Sequence, residues 1–529
     1  MQKTSQGDYP VILKLNIMSR IDDFLKHIND GYICKGDYIT LGCAMVEEAT
    51  APGAFVNIPL RTMNRHGLIA GATGTGKTKT LQVISEQLSE KGVPVLLMDV
   101  KGDLSGIAMP GEAKTFILER HSKLSLPYAP KGYPVELLSL SKQDGVRLRA
   151  TVSEFGPVLL SRILDLNDTQ AGVLAVIFKY CDNNNLGLLD LKDLKKAIQY
   201  LTEEGKAEVE RDYGRISTAT TGIIIRKILE LEQQGGEQFF GELSFDITDL
   251  MRRDKYGNGY ISILRLTDIQ DKPKLFSTFM LSLLAEVYNQ MPEKGDVEKP
   301  ELVIFIDEAH LIFNQASKAL LEQIENIVKL IRSKGVGIVF VTQNPTDVPS
   351  GVLSQLGLKV QHALRAFTAV DRKAIKLTAE NYPLSEYYNT DETITSLGIG
   401  EALVTALSER GNPTPLAATM LRAPASRMDI LTPDEINAIN RSSVLVHKYS
   451  QLIDRESAYE ILGKKVIEIQ NAAAEERERG NGREGEGGRR AAGTPYRRSS
   501  SSPQGQVVKV LTSATFIRGV FGILKKVMK

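Results

Sequence analysis

One short segment has the residue types and spacing of a polyphosphate-binding loop. Residues 71–78 read Gly-Ala-Thr-Gly-Thr-Gly-Lys-Thr, which matches G-x-x-x-x-G-K-[ST]. The glycines let backbone N–H groups wrap a polyphosphate, and a helix beginning near Thr78 would point its positive end at the same anion. Lys77 would reach the β- and γ-phosphates, and the Thr78 hydroxyl would bind Mg²⁺. A glycine-rich turn that matches by chance is the alternative, but this match lies between an apolar strand and an amphipathic helix.

The sequence therefore predicts a nucleotide site along this loop. Its expected contacts are Gly71, Ala72, Thr73, Gly74, Thr75, Gly76, Lys77, Thr78 and Lys79.

A second segment ends an apolar strand with two carboxylates, Asp307 and Glu308, in the run ELVIFIDEAH (301–310). Strand alternation would point the two side chains to different sides, so that they can have different roles. We expect Asp307 to help hold Mg²⁺ and Glu308 to polarise the attacking water. A solvated acidic pair at a strand end is the alternative, and the glycine loop makes it the weaker interpretation.

Polar residues near other strand ends are candidates for the same site. Gln343 ends the strand GIVFVTQ, and strand carboxyl ends line the ligand crevice in sheets of this kind. Gln343 would contact the γ-phosphate or the water, or else complete a turn. Asp99 and Asp103 follow the strand PVLLMD and would lie near the nucleotide or organise the crevice; the alternative is that they are ordinary loop carboxylates.

An arginine finger that reaches into a neighbouring subunit has three candidates. Arg332 ends a long predicted helix, where the helix dipole would also favour a simple solvated arginine. Arg365 and Arg372 compete with it for the role.

Two segments resemble calcium loops but lack the required ligands. Counting Asp254 as position 1, Tyr256 stands at position 3 and Arg265 at position 12, where oxygen ligands are needed. In the segment that begins at Asp182, Leu186 stands at position 5. We interpret the first segment as a turn into the strand YISILRL.

These residues need a sheet to bring them together, and the chain alternates strands and helices after His66. The pattern predicts an α/β fold with a mostly parallel sheet and an inserted helical subdomain. A short helix is expected at 18–31. Met18 is a candidate for the true start of the protein. The predicted segments are an N-terminal segment (1–54), the first part of the core (55–149), a mainly helical insertion (150–255), the second part of the core (256–465), a disordered linker (466–506) and a basic amphipathic tail (507–529).

Composition excludes several classes of protein. The 529 residues are 42% hydrophobic and 24% charged, which is enough apolar content for a sizeable core. Three cysteines exclude a disulfide scaffold, and no apolar run reaches the length of a membrane span. The net charge of +1 combines an acidic body with a basic tail, because residues 471–529 contain 12 Lys+Arg and 5 Asp+Glu. A local basic ring that binds DNA is still compatible with this balance. We expect a cytoplasmic protein.

The motifs resemble the HerA/FtsK superfamily of P-loop ATPases. The stretches that carry the resemblance are GLIAGATGTGKT, LLMDVKGDLSG, VIFIDEAHLIF and IRSKGVGIVFVTQNPTDVP, and they look closest to the bacterial HerA-like family typified by YjgR. The resemblance covers about residues 18–465 and implies a RecA-like (ASCE type) core, ATP and Mg²⁺ as ligands, and a ring, expected to be a hexamer. It makes Arg332 the preferred finger and Gln343 the sensor. Relatives move DNA, often with a nuclease or membrane partner.

Two functions remain open at this point. The first is an oligomeric, Mg²⁺-dependent ATPase that translocates or remodels DNA, with a helicase-like activity. The second is an ATP-driven switch or remodeller that acts on protein partners without nucleic acid. The tail 507–529 would dock on the body or a neighbour, or else contact a membrane surface or nucleic acid through its lysines and arginines.

Overall fold

Twelve strands join into one mixed sheet in the computed structural model, which describes residues 9–47, 49–313, 318–451, 453 and 455–481. The order across the sheet is β2-β1-β12-β11-β10-β3-β9-β8-β4-β7-β5-β6. The strands are β1 (Tyr38–Val46), β2 (Ala49–Pro59), β3 (Gly67–Ala70), β4 (Val95–Asp99), β5 (Val135–Ser139), β6 (Val146–Arg147), β7 (Ile261–Arg265), β8 (Leu302–Ile306), β9 (Val336–Thr342), β10 (Leu358–His362), β11 (Glu401–Thr405) and β12 (Ala417–Leu421).

Helices connect and cover these strands. They are α1 (Tyr9–Gly31), α2 (Lys77–Glu90), α3 (Thr115–Leu124), α4 (Val152–Ile163), α5 (Asp168–Asn183), α6 (Leu191–Thr202), α7 (Lys206–Asp212), α8 (Thr218–Gln233), α9 (Gly236–Phe239), α10 (Pro273–Gln290), α11 (His310–Phe313), α12 (Lys318–Ile331), α13 (Ser350–Leu353), α14 (Ala369–Ala379), α15 (Thr390–Ser396), α16 (Pro433–Ser442), α17 (Val444–Tyr449) and α18 (Ala458–Asn481).

The predicted α/β fold with a mostly parallel sheet is confirmed. All strand pairs from β10 to β6 along the order are parallel, whereas the pairs that join β10, β11, β12, β1 and β2 are antiparallel. Every residue of β3, β4, β8 and β9 is buried, as expected for central strands covered on both faces. The antiparallel half was not predicted, because the sequence pattern does not show the direction of a strand.

The segment between β6 and β7 contains helices α4 to α9 and a short 3₁₀ turn. Strong caps define several of these helices. Thr151, Asn167 and Asp190 each form a capping box with the residue three positions on. Asp254, in the rejected calcium loop, instead accepts hydrogen bonds from the backbone N–H groups of Tyr256 and Asn258 in a turn before β7.

Helix α1 packs on the antiparallel half of the sheet. The side chains of Phe24 and Ile28 in this helix, and of Tyr32 directly after it, are at most 2% exposed. The Tyr32 hydroxyl donates to the carbonyls of Val404 (2.9 Å) and Pro415 (2.7 Å), which ties α1 to β11 and the segment before β12. The helix begins at Tyr9 rather than at the expected residue 18.

The C-terminal part differs from the expected disordered linker. Two compact units divide the chain at Leu462, and the described residues of the second unit, 463–481, are helical within α18. The linker was expected to begin at 466, but the alanine- and glutamate-rich stretch after Gln470 has high helix propensity and continues α18. The remainder of the predicted linker and the whole predicted tail lie outside the described residues. None of the helices between residues 9 and 481 has the length and apolar character that a bilayer span requires.

Candidate nucleotide-binding site

The glycine loop leaves β3 at the carboxyl edge of the sheet and leads directly into α2. Gly71, Gly74 and Gly76 have φ values of +153°, +79° and +112°, which favour glycine. A Cβ on Gly71 would also lie 2.4 Å from the Cβ of His362. The loop is fixed at its start, because the N–H of Gly71 donates to the Thr342 carbonyl (3.3 Å) at the end of β9. This backbone can present N–H groups to an anion in front of the positive end of α2.

Lys77 lies inside the loop. Its side chain is buried, and its amine donates to the carbonyls of Gly71 (2.6 Å) and Ala72 (3.1 Å). Burial lowers the pKa of Lys77, and the positive charge of Lys101 lowers it further, while Glu308 and Asp307 act in the opposite direction. The amine therefore lies where cationic and acidic groups of the carboxyl edge meet.

The other predicted loop residues have different surroundings. Thr75 is buried and its hydroxyl donates to the Ala72 carbonyl (2.7 Å), whereas Thr73 and Gly74 are exposed. Thr78 is partly buried in the first turn of α2. The following residue, Lys79, donates to the carbonyl of Met428 (2.7 Å), so its amine is held by the C-terminal segment.

The acidic pair follows β8, two strands away from β3. Asp307 is 4% exposed, and its Oδ2 has no hydrogen-bond partner among the described residues. Burial raises the pKa of Asp307 to about 7; the charge of Lys101 opposes this rise and that of Glu308 adds to it. A buried carboxylate oxygen without a partner beside a phosphate-binding loop fits a role in holding a cation.

Glu308 is held in place by two basic residues. Strand β8 ends at Ile306 and Glu308 has φ +48°, so the local backbone rather than strand alternation sets its direction. Its Oε1 forms an ion pair with the Lys101 amine, and its Oε2 lies 3.1 Å from Nδ1 of His310. Its side chain is only 8% exposed.

Lys101 was not among the residues predicted from the sequence, although it lies between the two aspartates that were. Asp99 accepts hydrogen bonds from the N–H groups of Gly102 (2.7 Å), Asp103 (3.2 Å) and Leu104 (3.1 Å). Asp99 therefore organises the loop after β4. Burial raises the pKa of Asp99 to about 6, against the Leu104 hydrogen bond and with a further rise from Asp103.

His362 is a second residue that the sequence did not single out. It ends β10 beneath the glycine loop, where its Nε2 lies 2.9 Å from the hydroxyl of Thr80 in α2. Burial lowers the pKa of His362 to about 4 and the charge of Lys77 acts in the same direction, so the ring is neutral near pH 7. The sequence signal that could have identified His362 is its position at the end of an apolar strand.

Gln343 lies on the same edge as the loop. It follows β9, which pairs with β3 on one side and β8 on the other, and its side chain is exposed. The sheet therefore brings Gln343 between the glycine loop and the acidic pair.

The three arginine candidates are divided between the two edges of the sheet. Arg332 precedes β9 and is exposed at the amino edge, where Asn64 donates to its carbonyl (3.4 Å). The seven residues of β9 correspond to about 23 Å of extended chain, so Arg332 does not reach the loop of its own subunit. Arg365 and Arg372 follow β10 and are exposed on the side of the carboxyl edge.

This arrangement defines a RecA-like P-loop fold, because the strand β9 lies between the strand of the glycine loop and the strand of the acidic pair. The family model for the helicase HerA-like C-terminal region matches residues 45–527, and the chain belongs to this family. The closer YjgR-like assignment stays a prediction.

Individual relatives share a low sequence identity with this chain. The chain is 22% identical over 369 residues to the DNA double-strand break repair helicase HerA of Sulfolobus acidocaldarius, covering 66% of this chain and 64% of that protein. It is 26% identical over 435 residues to a probable helicase of Methanocaldococcus jannaschii, covering 76% and 73%. Among solved structures, the bacterial conjugative coupling protein TrwB matches with a TM-score of 0.49 and 15% identity, covering 77% of this chain and 95% of that chain.

Proposed function

We propose that this chain is an Mg²⁺-dependent ATPase that works as an oligomeric ring, expected to be a hexamer, and translocates or remodels DNA. The observation that carries the proposal is the position of Glu308, which lies beside Asp307 at the carboxyl edge within electrostatic range of Lys77. Membership of the HerA-like family and the similarity to DNA repair helicases support the choice of DNA. A cytoplasmic location and a nuclease or other protein partner stay predictions.

The residues fit a nucleoside triphosphate with its metal ion. The glycine loop and the start of α2 would bind the phosphates, and Lys77 would exchange the carbonyls of Gly71 and Ala72 for phosphate oxygens. Thr78 and Asp307 would hold Mg²⁺, for which the free Oδ2 of Asp307 is a suitable ligand. Bound Mg²⁺ would neutralise part of the phosphate charge.

Glu308 would orient a water molecule for in-line attack on the γ-phosphate and accept its proton. Gln343 would contact the γ-phosphate or the same water from the end of β9. In both roles the side chains act from neighbouring strand ends, which hold them at fixed separations.

The test separates binding from turnover. Glu308→Gln keeps the size of the side chain and the loop, so it should still bind ATP at least as tightly as the unmodified protein while its turnover falls about 100-fold or more. Normal hydrolysis by this variant would contradict the assignment of Glu308. Comparison of ATP hydrolysis by the unmodified protein with and without single- or double-stranded DNA, over a salt series, tests the substrate. Equal rates with and without DNA would favour the protein remodeller instead.

The arginine finger requires a neighbour, because Arg332 lies at the edge opposite its own loop. In a ring, Arg332→Ala should be inactive alone but regain activity when mixed with Glu308→Gln, since the second protein supplies the finger and the first an intact Glu308. Arg365→Ala and Arg372→Ala are matched comparisons in the same mixing assay. If one of these, rather than Arg332→Ala, is inactive alone and complements Glu308→Gln, the finger assignment moves to that residue.

A further inference from the structure

One lysine outside the glycine loop contacts the proposed catalytic carboxylate. Lys101 lies in the loop that follows β4, and β4 pairs directly with β8, whose end carries Glu308. The Lys101 amine forms an ion pair with Oε1 of Glu308, and the Lys101 side chain is 40% exposed. The proposed function gives no role to this lysine.

The ion pair limits what Glu308 can do. Its Oε1 is in an ion pair with Lys101 and its Oε2 lies 3.1 Å from Nδ1 of His310, although neither contact has the geometry of a hydrogen bond. A carboxylate oxygen engaged by an ammonium group has fewer lone-pair directions free to orient a water molecule. In the arrangement observed, Glu308 is therefore restrained rather than ready to act.

Lys101 is also close to the region that would receive the phosphates. Its positive charge acts on the amine of Lys77 and on the carboxyl group of Asp307, so the three groups share one electrostatic environment. The terminal phosphate of ATP would bring additional negative charge into that environment, whereas ADP would not. An exposed, flexible lysine can exchange one anionic partner for another with little change of backbone.

The Lys101 loop has a fixed base. Asp99 holds the N–H groups of residues 102–104, so the ends of the loop stay in place while the long side chain of Lys101 remains free to change its direction. This geometry favours a movement of the amine over a movement of the loop.

We propose that Lys101 senses the terminal phosphate of ATP: without it, the amine restrains Glu308, and with it, the amine moves to the phosphate and releases Glu308. The inference rests on the proposed function, in which Glu308 orients the water. It makes readiness for hydrolysis depend on a triphosphate, because ADP does not provide the competing anion.

The test measures nucleotide affinity without turnover, using a non-hydrolysable ATP analogue and ADP in separate titrations with Mg²⁺. Lys101→Met should lose about 10-fold in affinity for the analogue, the lower end for a charge-assisted hydrogen bond, and bind ADP unchanged. The matched control is Lys131→Met, which removes an exposed lysine paired with Glu90 on the loop before β5. This control should bind both nucleotides like the unmodified protein.

A double-mutant cycle tests the exchange itself. Glu308→Gln removes the competing partner of Lys101, so it should bind the analogue several-fold more tightly, and the gain should disappear in the variant that also carries Lys101→Met. Lys101→Arg should keep most of the preference for the triphosphate, because it keeps the charge.

Several results would overturn the inference. If Lys101→Met lowers affinity for ADP and the analogue equally, the lysine only supports the site; if it changes neither, Lys101 does not contact the phosphate. A protein that binds the analogue through Lys101 but never hydrolyses ATP would contradict the proposed function and leave the phosphate contact intact. Failure to bind either nucleotide would contradict both.

Discussion

Asp99 provides a direct test of the electrostatics beneath the Lys101 loop. Its side chain is 1% exposed, and burial raises its pKa from 3.8 to about 6. A carboxyl group whose pKa is raised in the folded state binds protons more tightly there than in the unfolded chain. Its contribution to stability is therefore fully present below about pH 3.8 and is lost as the pH rises through about 6.

The size of the effect follows from these two pKa values. Relative to low pH, where Asp99 is protonated in both the folded and the unfolded state, linkage lowers the free energy of unfolding by about 1 kcal/mol at pH 4.5 and about 3 kcal/mol at pH 7.5. Asp99→Asn removes this titration but replaces Oδ2, which accepts the N–H of Leu104, by an amide donor. Loss of that hydrogen bond costs about 1 kcal/mol at every pH. The variant should therefore match the unmodified protein at pH 4.5 and be about 2 kcal/mol more stable at pH 7.5.

The assay is urea unfolding of both proteins at the two pH values, without nucleotide. Asp254→Asn is a control of opposite sign. Although burial raises the pKa of Asp254, hydrogen bonds from Asn258, Tyr256 and Gly257 outweigh it, and the net pKa is lowered. The relative stability of that variant should fall as the pH rises only in the range below about 3.8, so it should stay almost constant between pH 4.5 and 7.5. A stability difference for Asp99→Asn that does not change between pH 4.5 and 7.5 would refute the burial argument.

Three further substitutions test the site and the core. Gly71→Ala would bring a Cβ within 2.4 Å of the His362 Cβ, so nucleotide binding should be lost; retained affinity in a filter-binding assay would contradict the loop geometry. Thr78→Ala should weaken Mg²⁺-dependent ATP binding at least about 10-fold while leaving Mg²⁺-free binding similar, as measured by titration with and without EDTA. Tyr32→Phe removes the hydroxyl that donates to the carbonyls of Val404 and Pro415 and should lower the free energy of unfolding by about 1–3 kcal/mol, whereas an unchanged urea midpoint would show that neither hydrogen bond stabilises the fold.

The local parts of the site could be predicted from the sequence. The glycine loop is contiguous, and the apolar run before Asp307 is typical of a buried strand, so residue type and spacing suffice for both. Their expected places at the carboxyl edge follow from the parallel strands of an α/β fold. Gln343 was placed there by the same rule.

The contacts between distant elements could not be predicted. Lys101 meets Glu308 because β4 pairs with β8, and His362 lies beneath Gly71 because β10 pairs with β3. Neither pairing is encoded in a local motif, since each depends on the order of strands in the sheet. The pairing of β1 with β12 likewise joins the two ends of the core sequence, which periodicity along the chain does not reveal.

The neighbours of β3 have a consequence for how the protein is made. Gly67 pairs with Val339 in β9 and with Leu358 in β10, so β3 emerges from the ribosome about 270 residues before its first partner. At typical rates of translation this delay is roughly 15–50 s, during which an apolar segment has no sheet to join. The glycine loop after β3 can therefore take its final place in the sheet only once residues up to about 362 have been synthesised.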